Sequence, residues 1–455
     1  MKIHLIAIGG SAMHNMAIAL HLKGYQVSGS DDEIFEPSKN RLQQYGLLPT
    51  KMGWDEQRIH NNLDAVILGM HARKDNPELI KAQALGVPIY SYPEYIFNQS
   101  RDKKRIVIGG SHGKTSITAM ILHVLHALNF KYDYMVGAQL EGFECMVKLS
   151  HDAPIIILEG DEYLSSPIDR RPKFHLYQAH TAVISGIAWD HINVFPTFEN
   201  YVQQFQLFTD QIEAGGKLIY CESDKEVKQI GDHFSGKRTP YGTHAHKIVN
   251  GKTILLDQGQ EYPIAVFGGH NLQNIHAALH VALDLGIQKE DFYHAIANFT
   301  GASKRLELVK ETPLSAVYKD FAHSPSKLKA TAQAMKEQFE NRTLTACMEL
   351  HTFSSLNEEF LTQYQGCIDA PDHAYVFFSP KALAHKKLPE ITVQQVHQAF
   401  GREDLKVFTC SEELVKELKS KNWLNQNLLL MSSGNFDGID FNELSEELIG
   451  SKFQA

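Results

Sequence analysis

The sequence predicts an α/β protein in three consecutive parts, each built on a mostly parallel sheet. Three observations predict it. Short apolar runs rich in Ile and Val alternate with helical patterns along the 455 residues. Two of those runs lead into glycine turns that open helices, at 9–11 and at 109–113. The length itself exceeds what one ordinary core can organise.

The first part, 1–100, opens with a strand at 3–9 (I-H-L-I-A-I-G). It turns at Gly9, Gly10 and Ser11 and carries a helical pattern over 12–23 that Gly24 ends. A second strand at 25–28 is closed by Ser30, Asp31 and Asp32. An acid roughly 20 residues after a glycine turn is the arrangement in which a carboxylate meets a ribose. The dinucleotide fingerprint G-x-G-x-x-G is broken here: Ala7 stands at its first glycine, and His14 and Asn15 follow Met13. That argues against a redox dinucleotide and for a nucleotide-like group needing fewer close backbone approaches. Strands at 65–69 and 87–90 flank a helix that starts near Asn76, Pro77 and Glu78, where proline suits the first turn. The polar stretch 98–104 has no periodicity and reads as a linker.

The second part, 105–300, begins R-I-V-I-G-G-S-H-G-K-T-S. Strand, glycine turn, Lys-Thr and helix follow in the order of a phosphate-binding loop, in a form shorter than G-x-x-x-x-G-K-[ST] because Ile108 occupies the outer glycine position. Glycines let backbone N–H groups face an anion, the helix N-terminus adds partial positive charge, Lys114 can reach β- and γ-phosphates, and the Thr115 hydroxyl can hold Mg²⁺. A buried strand at 154–158 ends in Glu159, Gly160, Asp161 and Glu162, and another at 182–187 is followed by Trp189, Asp190 and His191. Carboxylates and a histidine at strand C-termini of an open α/β sheet lie where ligands bind, and beside a phosphate loop their natural work is Mg²⁺. A strand at 218–220 belongs to the same sheet. G-G-H-N-L-Q-N at 268–274 opens a further helix. Asn271 and Asn274, three apart, share one face there and offer both donor and acceptor, as the edge of a purine requires.

The third part, 301–455, alternates strands at 316–318, 344–348, 374–378, 406–408 and 428–431 with helical patterns, including one over 326–339. Its first strand ends in K-D-F-A-H-S-P and its last in the turn S-S-G-N-F.

Composition removes several classes of function. With 43% hydrophobic and 21% charged residues this is an ordinary globular chain, and a net charge of −9 argues against nucleic acid as partner. No apolar run approaches the roughly 20 residues that span a bilayer. The opening M-K-I-H-L-I-A-I-G-G breaks into glycines with no cleavage pattern, so a cytoplasmic location and no membrane partner are expected. The five cysteines are scattered and never in C-x-x-C spacing, which reads as reduced packing residues.

The motifs G-S-H-G-K-T-S, E-G-D-E, D-H after a strand, G-x-H-N-x-x-N, K-R-L-E and D-F-A-H-S-P stand in the order found in the Mur ligases. These are the ATP-dependent amide-forming enzymes of bacterial cell-wall precursor synthesis, and the chain resembles them over essentially its whole length. The resemblance implies a Rossmann-like N-terminal domain for UDP-N-acetylmuramate (1–100), a central P-loop ATPase domain (105–300) and a Rossmann-like C-terminal domain for the amine or peptide substrate (301–455). It implies ATP and Mg²⁺, and a reaction in which a carboxylate takes the γ-phosphoryl group before an amine displaces phosphate. By motif match, Gly110, Ser111, His112, Gly113, Lys114, Thr115 and Ser116 would cradle the ATP phosphates, and Thr115 one Mg²⁺. Glu159 and His191 would hold a second. Asn271 and Asn274 would read adenine, Arg305 a phosphate and Asp320 the ribose, with His323 near the reacting carboxylate or amine. Gly10, Ser11, Met13, Ser30 and Asp31 would line the uridine diphosphate site.

Two departures bear on the amine. Several Mur ligases use a carbamylated lysine a turn or so after the D-H pair, and Y-V-Q-Q-F-Q-L-F at 201–208 has none. The L-alanine-adding branch carries H-R-Y-[ST]-R, where this chain has H-T-F-S-S at 351–355 and lacks both arginines. E-G-D-E-Y at 159–163 with D-R-R-P-K-F at 169–174 resembles the branch that attaches a ready-made wall tripeptide, L-Ala-γ-D-Glu-meso-diaminopimelate, in peptidoglycan recycling. L-alanine as amine stays as the alternative. A phosphate-loop ATPase or nucleotide-binding regulator without ligase activity is the reading from another class, and it has no use for a UDP-sugar site.

Overall fold

A computed structural model describes residues 1–191, 194–302 and 305–450. The chain divides into two compact units, Met1–Gly242 with Gln273–Ile296, and Thr243–Leu272 with the chain from Ala297 onward.

The first unit holds two sheets. The smaller has four parallel strands in the order Gln26–Ser30, Lys2–Ile6, Ala65–Leu68, Ile89–Ser91. Between its first two strands in the chain runs the helix Ser11–Leu22. The larger has seven strands, in the order Lys237–Tyr241, Lys217–Cys221, Thr181–Ile184, Lys104–Gly109, Ile155–Glu159, Asp133–Met135, Val147–Lys148, of which only the last pair is antiparallel. Burial explains the unbroken apolar runs of its central strands: Ile106, Val107, Ile108, Ile156, Ile157 and Leu158 have no exposed surface. The consecutive strands Ile155–Glu159 and Thr181–Ile184 lie on opposite sides of Lys104–Gly109, and a crevice opens at such a switch point beyond the strand C-termini.

The polar stretch expected as a linker is instead a tight turn held by its own side chains. Ser100 is buried and donates to the Ile96 carbonyl at 2.8 Å. Lys103, only 3% exposed, lies 3.2 Å from the buried Asp133 carboxylate and donates to the Ala153 carbonyl at 2.8 Å. Its polarity thus serves an interior ion pair rather than solvent. Asp133→Ala is expected to strand that ammonium and lower stability by about 3 kcal/mol, read as a drop in the urea midpoint. A variant within about 0.5 kcal/mol of the parent would show the pair to be dispensable.

The second unit carries a six-stranded sheet in the order Glu307–Glu311, Ala316–Asp320, Gln426–Met431, Thr343–Leu350, His373–Phe378, Lys406–Phe408, parallel except at its first pair. Asp320 and Met431 are register partners, so the two motif turns D-F-A-H-S-P and S-S-G-N-F leave the sheet at one end. The helix following the first turn is Pro325–Gln338. This unit also has a three-stranded antiparallel sheet, His246–Val249, Lys252–Asp257 and Gln260–Ile264, which the sequence reading leaves unassigned. Its two turns, Asn250-Gly251 and Gln258-Gly259, have positive φ at both residues (50° and 71°, 48° and 83°), the conformation of tight two-residue hairpins.

Among the described residues no helix is long and apolar enough to cross a membrane. All five cysteines are unpaired, and four of them are buried.

Candidate active site

The phosphate loop leaves the strand Lys104–Gly109 and enters the helix Lys114–Ala127. Two glycines make the turn possible. Gly110 has φ 140° and lies against the Ser185 hydroxyl and backbone; Gly113 has φ 80°, and a Cβ there would sit 2.7 Å from Asn274 Oδ1. The helix has no side-chain cap and no acid in its first turn, so its leading N–H groups are left for an anion. The loop is tied down from the next strand: Ser111 N–H donates to the Gly186 carbonyl at 2.9 Å, and the Ser185 hydroxyl donates to the His112 carbonyl.

Three acids stand around this loop with distinct partners. Glu159, at the end of its strand, accepts from Thr115 Oγ1 at 2.8 Å and from Gly137 N–H at 2.7 Å. Burial raises its pKa, against the opposing pull of the Gly137 N–H and Lys114. Glu162 accepts from Lys114 Nζ at 2.5 Å on one oxygen and from the Tyr201 hydroxyl at 3.0 Å on the other. Burial alone would lower the Lys114 pKa, but the Glu162 and Asp161 carboxylates outweigh it and raise it. Asp161 pairs with Lys173 at 2.5 Å; burial would raise its pKa, yet Lys173 and Lys114 bring it down to about 2.

Asp161, Glu162 and His191 each offer a ligand atom within 4.8 Å of the others. His191 Nε2 is 3.7 Å from Glu162 Oε1, and its backbone adopts φ 56°, in the left-handed region. Two carboxylates and an imidazole beside a hydroxyl fit a hard divalent cation such as Mg²⁺. Glu159, expected beside His191, is not part of this group. The sequence places Asp161 and Glu162 among the E-G-D-E acids suited to Mg²⁺ but gives an individual metal role only to Glu159, and it gives Tyr201 none.

In the smaller sheet of the same unit, Gly9 N–H donates to Asp31 Oδ2 at 2.7 Å, so the acid closes the glycine turn at Gly10 and Ser11. Ala7 has φ 64°, the left-handed conformation glycine supplies at that place in the broken fingerprint. Met13 is buried, and His71 lies over Gly10. Ser30, expected at the loop, instead turns inward. Its hydroxyl donates to Glu78, whose carboxylate also meets His4 Nε2 at 3.3 Å. Burial pushes the Asp31 carboxyl up to about 6. A carboxyl raised in the folded state makes no difference to stability while both states are protonated. It costs stability as pH rises from the unfolded value through about 6. Asp31→Asn is therefore expected to gain thermal stability over the parent between pH 4 and pH 8, read as the difference in Tm; a gain independent of pH would contradict this.

In the second unit, a cavity of about 180 Å³ brings Asn271 and Arg305 together with Phe267, Leu306 and Tyr318. Asn271 donates to the Phe267 carbonyl at 2.9 Å, and the Arg305 guanidinium lies 5.3 Å from the centre of the Phe321 ring. Asp320 accepts from Leu306 N–H at 2.5 Å and Ala322 N–H at 2.6 Å, and burial raises its pKa. His323 Nδ1 donates to the Phe321 carbonyl at 2.8 Å. Lys304 of the K-R-L-E motif lies outside the described residues. Asn274 follows Asn271 by three residues in the helix Gly269–Asp284, as expected, and its Oδ1 stands against Gly113 of the phosphate loop.

Residues 108–282 match the Mur ligase middle domain, and residues 2–103 match the model described as Mur ligase family, catalytic domain. The chain is 29% identical over 375 residues to UDP-N-acetylmuramate–L-alanine ligase of Desulforamulus reducens, covering 79% of each chain. It is 27% identical over 462 residues to UDP-N-acetylmuramate–L-alanyl-γ-D-glutamyl-meso-2,6-diaminoheptandioate ligase of Haemophilus influenzae, covering 96% of this chain and 97% of that one. The structure of UDP-N-acetylmuramate-alanine ligase from Thermotoga maritima shares the fold with a TM-score of 0.68 at 22% identity, over 96% of both chains. With these matches and a phosphate loop flanked by acids at strand ends, the chain belongs to the Mur ligase family of ATP-dependent, ADP-forming ligases.

Proposed function

We propose that this chain joins the carboxylate of UDP-N-acetylmuramate to the amine of L-Ala-γ-D-Glu-meso-diaminopimelate in the cytoplasm, with separate domains at 1–100, 105–300 and 301–455 for the sugar nucleotide, ATP and the peptide. In the first step a carboxylate oxygen attacks the γ-phosphorus, and ADP leaves with the electron pair of the broken P–O bond. In the second, the amine nitrogen attacks the acyl carbon, phosphate leaves, and the nitrogen loses a proton. Such chemistry is mainly positioning and charge neutralisation. Gly110–Gly113 and Lys114 hold the phosphates. Thr115 with Glu159, and the group Asp161, Glu162 and His191, would hold Mg²⁺, which neutralises charge on the transferring phosphoryl group. Asn271 and Arg305 would take the base and a phosphate, Asp320 the ribose. His323 would lie near the reacting carboxylate or amine. Gly10, Ser11, Met13 and Asp31 would hold the uridine diphosphate.

One observation carries the choice of amine. The stretch 351–355 has no guanidinium: Thr352 and Ser355 close a turn on each other, with Thr352 N–H donating to Ser355 Oγ at 2.9 Å and Ser355 N–H to Thr352 Oγ1 at 3.0 Å. The charged group beside it is an acid, Glu349, 3.4 Å from His351 Nδ1. Thr352 and Ser355 in place of the two arginines offer the α-carboxylate of a free amino acid no guanidinium partner there. The resemblance of E-G-D-E-Y and D-R-R-P-K-F supports the same branch; in the structure this segment folds back so that Lys173 N–H reaches the Tyr163 carbonyl and Lys173 Nζ reaches Asp161.

The test is ATP-dependent phosphate release with UDP-N-acetylmuramate and either amine. Release with the tripeptide and not with L-alanine supports this reading. Release with L-alanine alone would assign the chain to the first amino-acid-adding step, the reading that the Desulforamulus relative favours.

A further inference from the structure

The helix Phe198–Asp210 presents Tyr201 to the phosphate loop and the acids at once. The residue has no exposed surface, and its ring is held by Phe195 and Phe205, with centroids 5.5 Å and 5.4 Å away. Its hydroxyl is 2.8 Å from Ser111 Oγ and 3.0 Å from Glu162 Oε1, and Ser111 Oγ accepts from Ala188 N–H at 2.9 Å.

The direction of every bond in this chain is fixed by chemistry. An ionised carboxylate only accepts, so the phenol must donate its one proton to Glu162. The phenol oxygen then accepts from Ser111, and Ser111 in turn accepts from the Ala188 amide. The chain therefore runs one way, from backbone through loop serine and phenol to the carboxylate. Burial, with Glu162 beside it, raises the phenol pKa, so the donor stays protonated.

We propose that Tyr201 is a positioning residue: its buried hydroxyl ties the Glu162 carboxylate to Ser111 of the phosphate loop, so that the carboxylate stays beside His191 and facing the divalent cation when Lys114 turns to the nucleotide. Glu162 Oε2 holds Lys114 at 2.5 Å in this structure. Once phosphates draw the ammonium away, that oxygen needs a new positive partner, and the Tyr201 bond keeps the carboxylate from swinging after the lysine. The proposal rests on reading this site as the ATP and magnesium site.

The experiment measures Mn²⁺, a paramagnetic stand-in for Mg²⁺, by electron paramagnetic resonance on the full chain with saturating ADP. Tyr201→Phe keeps the ring packing and removes only the hydroxyl; it is expected to weaken Mn²⁺ binding about tenfold. Ser111→Ala, which cuts the chain at its other end, is expected to weaken it too and serves if the first variant does not fold. Equal Mn²⁺ affinity in parent and variants, with only a lowered Tm, overturns the proposal and leaves Tyr201 as packing. Absence of Mn²⁺ binding by the parent overturns the metal reading of the site, and this proposal with it.

Discussion

Lys114→Ala is expected to lower ATP-dependent phosphate release by about 10³-fold or more while leaving UDP-N-acetylmuramate binding nearly unchanged. The ammonium is the cation of the phosphate loop, at the N-terminus of a helix whose first turn holds no acid. Its pKa is raised by Glu162 and Asp161 against burial, so it is charged at any working pH. The groups proposed for the sugar nucleotide belong to a different sheet, where Asp31 closes the turn at Gly9. Removing the lysine touches none of them. Phosphate release and calorimetric titration with UDP-N-acetylmuramate check the two halves of the expectation. Loss of sugar-nucleotide binding in this variant would show that the division of labour between the sheets is wrong.

Glu162→Gln is expected to lower kcat about 10²-fold and to raise the Mg²⁺ concentration needed for half-maximal rate. The substitution keeps size and an acceptor oxygen for the Tyr201 hydroxyl, so the loop link survives. What it removes is charge: the partner of Lys114 at 2.5 Å and the carboxylate 3.7 Å from His191. A rate within about threefold of the parent at saturating Mg²⁺ and an unchanged Mg²⁺ dependence would place Glu162 outside the chemistry.

The phosphate loop was legible because its constraints are local. Glycines at 110 and 113, a preceding apolar strand and a following helix all lie within one short stretch of chain, and the structure uses both glycines at positive φ. The acids at strand ends were legible as a group, since strand C-termini of a parallel sheet face the ligand side. Which acid meets which partner was not. Glu159 and Glu162 are three residues apart beyond the reach of strand alternation, and only folding gives Glu159 to Thr115 and Glu162 to Lys114.

Ser30 is a case where the periodicity was available. Ser28 and Ser30 share one face of a strand, and that face carries His4, 2.9 Å from Ser28 Oγ, and the buried Glu78. Tyr201 had no local signal at all. Its partners are 90 and 39 residues away in the chain, and a tyrosine on an amphipathic helix reads as core. The hairpins at 246–264 had their signal in Asn250-Gly251, but their strands are polar and half-exposed, so hydrophobic alternation is weak there.

The claim that the whole account depends on is transfer of the γ-phosphoryl group to the carboxylate of UDP-N-acetylmuramate. It is tested most directly by labelling both oxygens of that carboxylate with ¹⁸O and analysing the products by mass spectrometry after turnover with ATP and the tripeptide. The account predicts one ¹⁸O in the released phosphate and one in the new amide. Phosphate free of ¹⁸O, with ATP still consumed, would contradict it and leave a phosphate-loop ATPase that does not activate the sugar carboxylate.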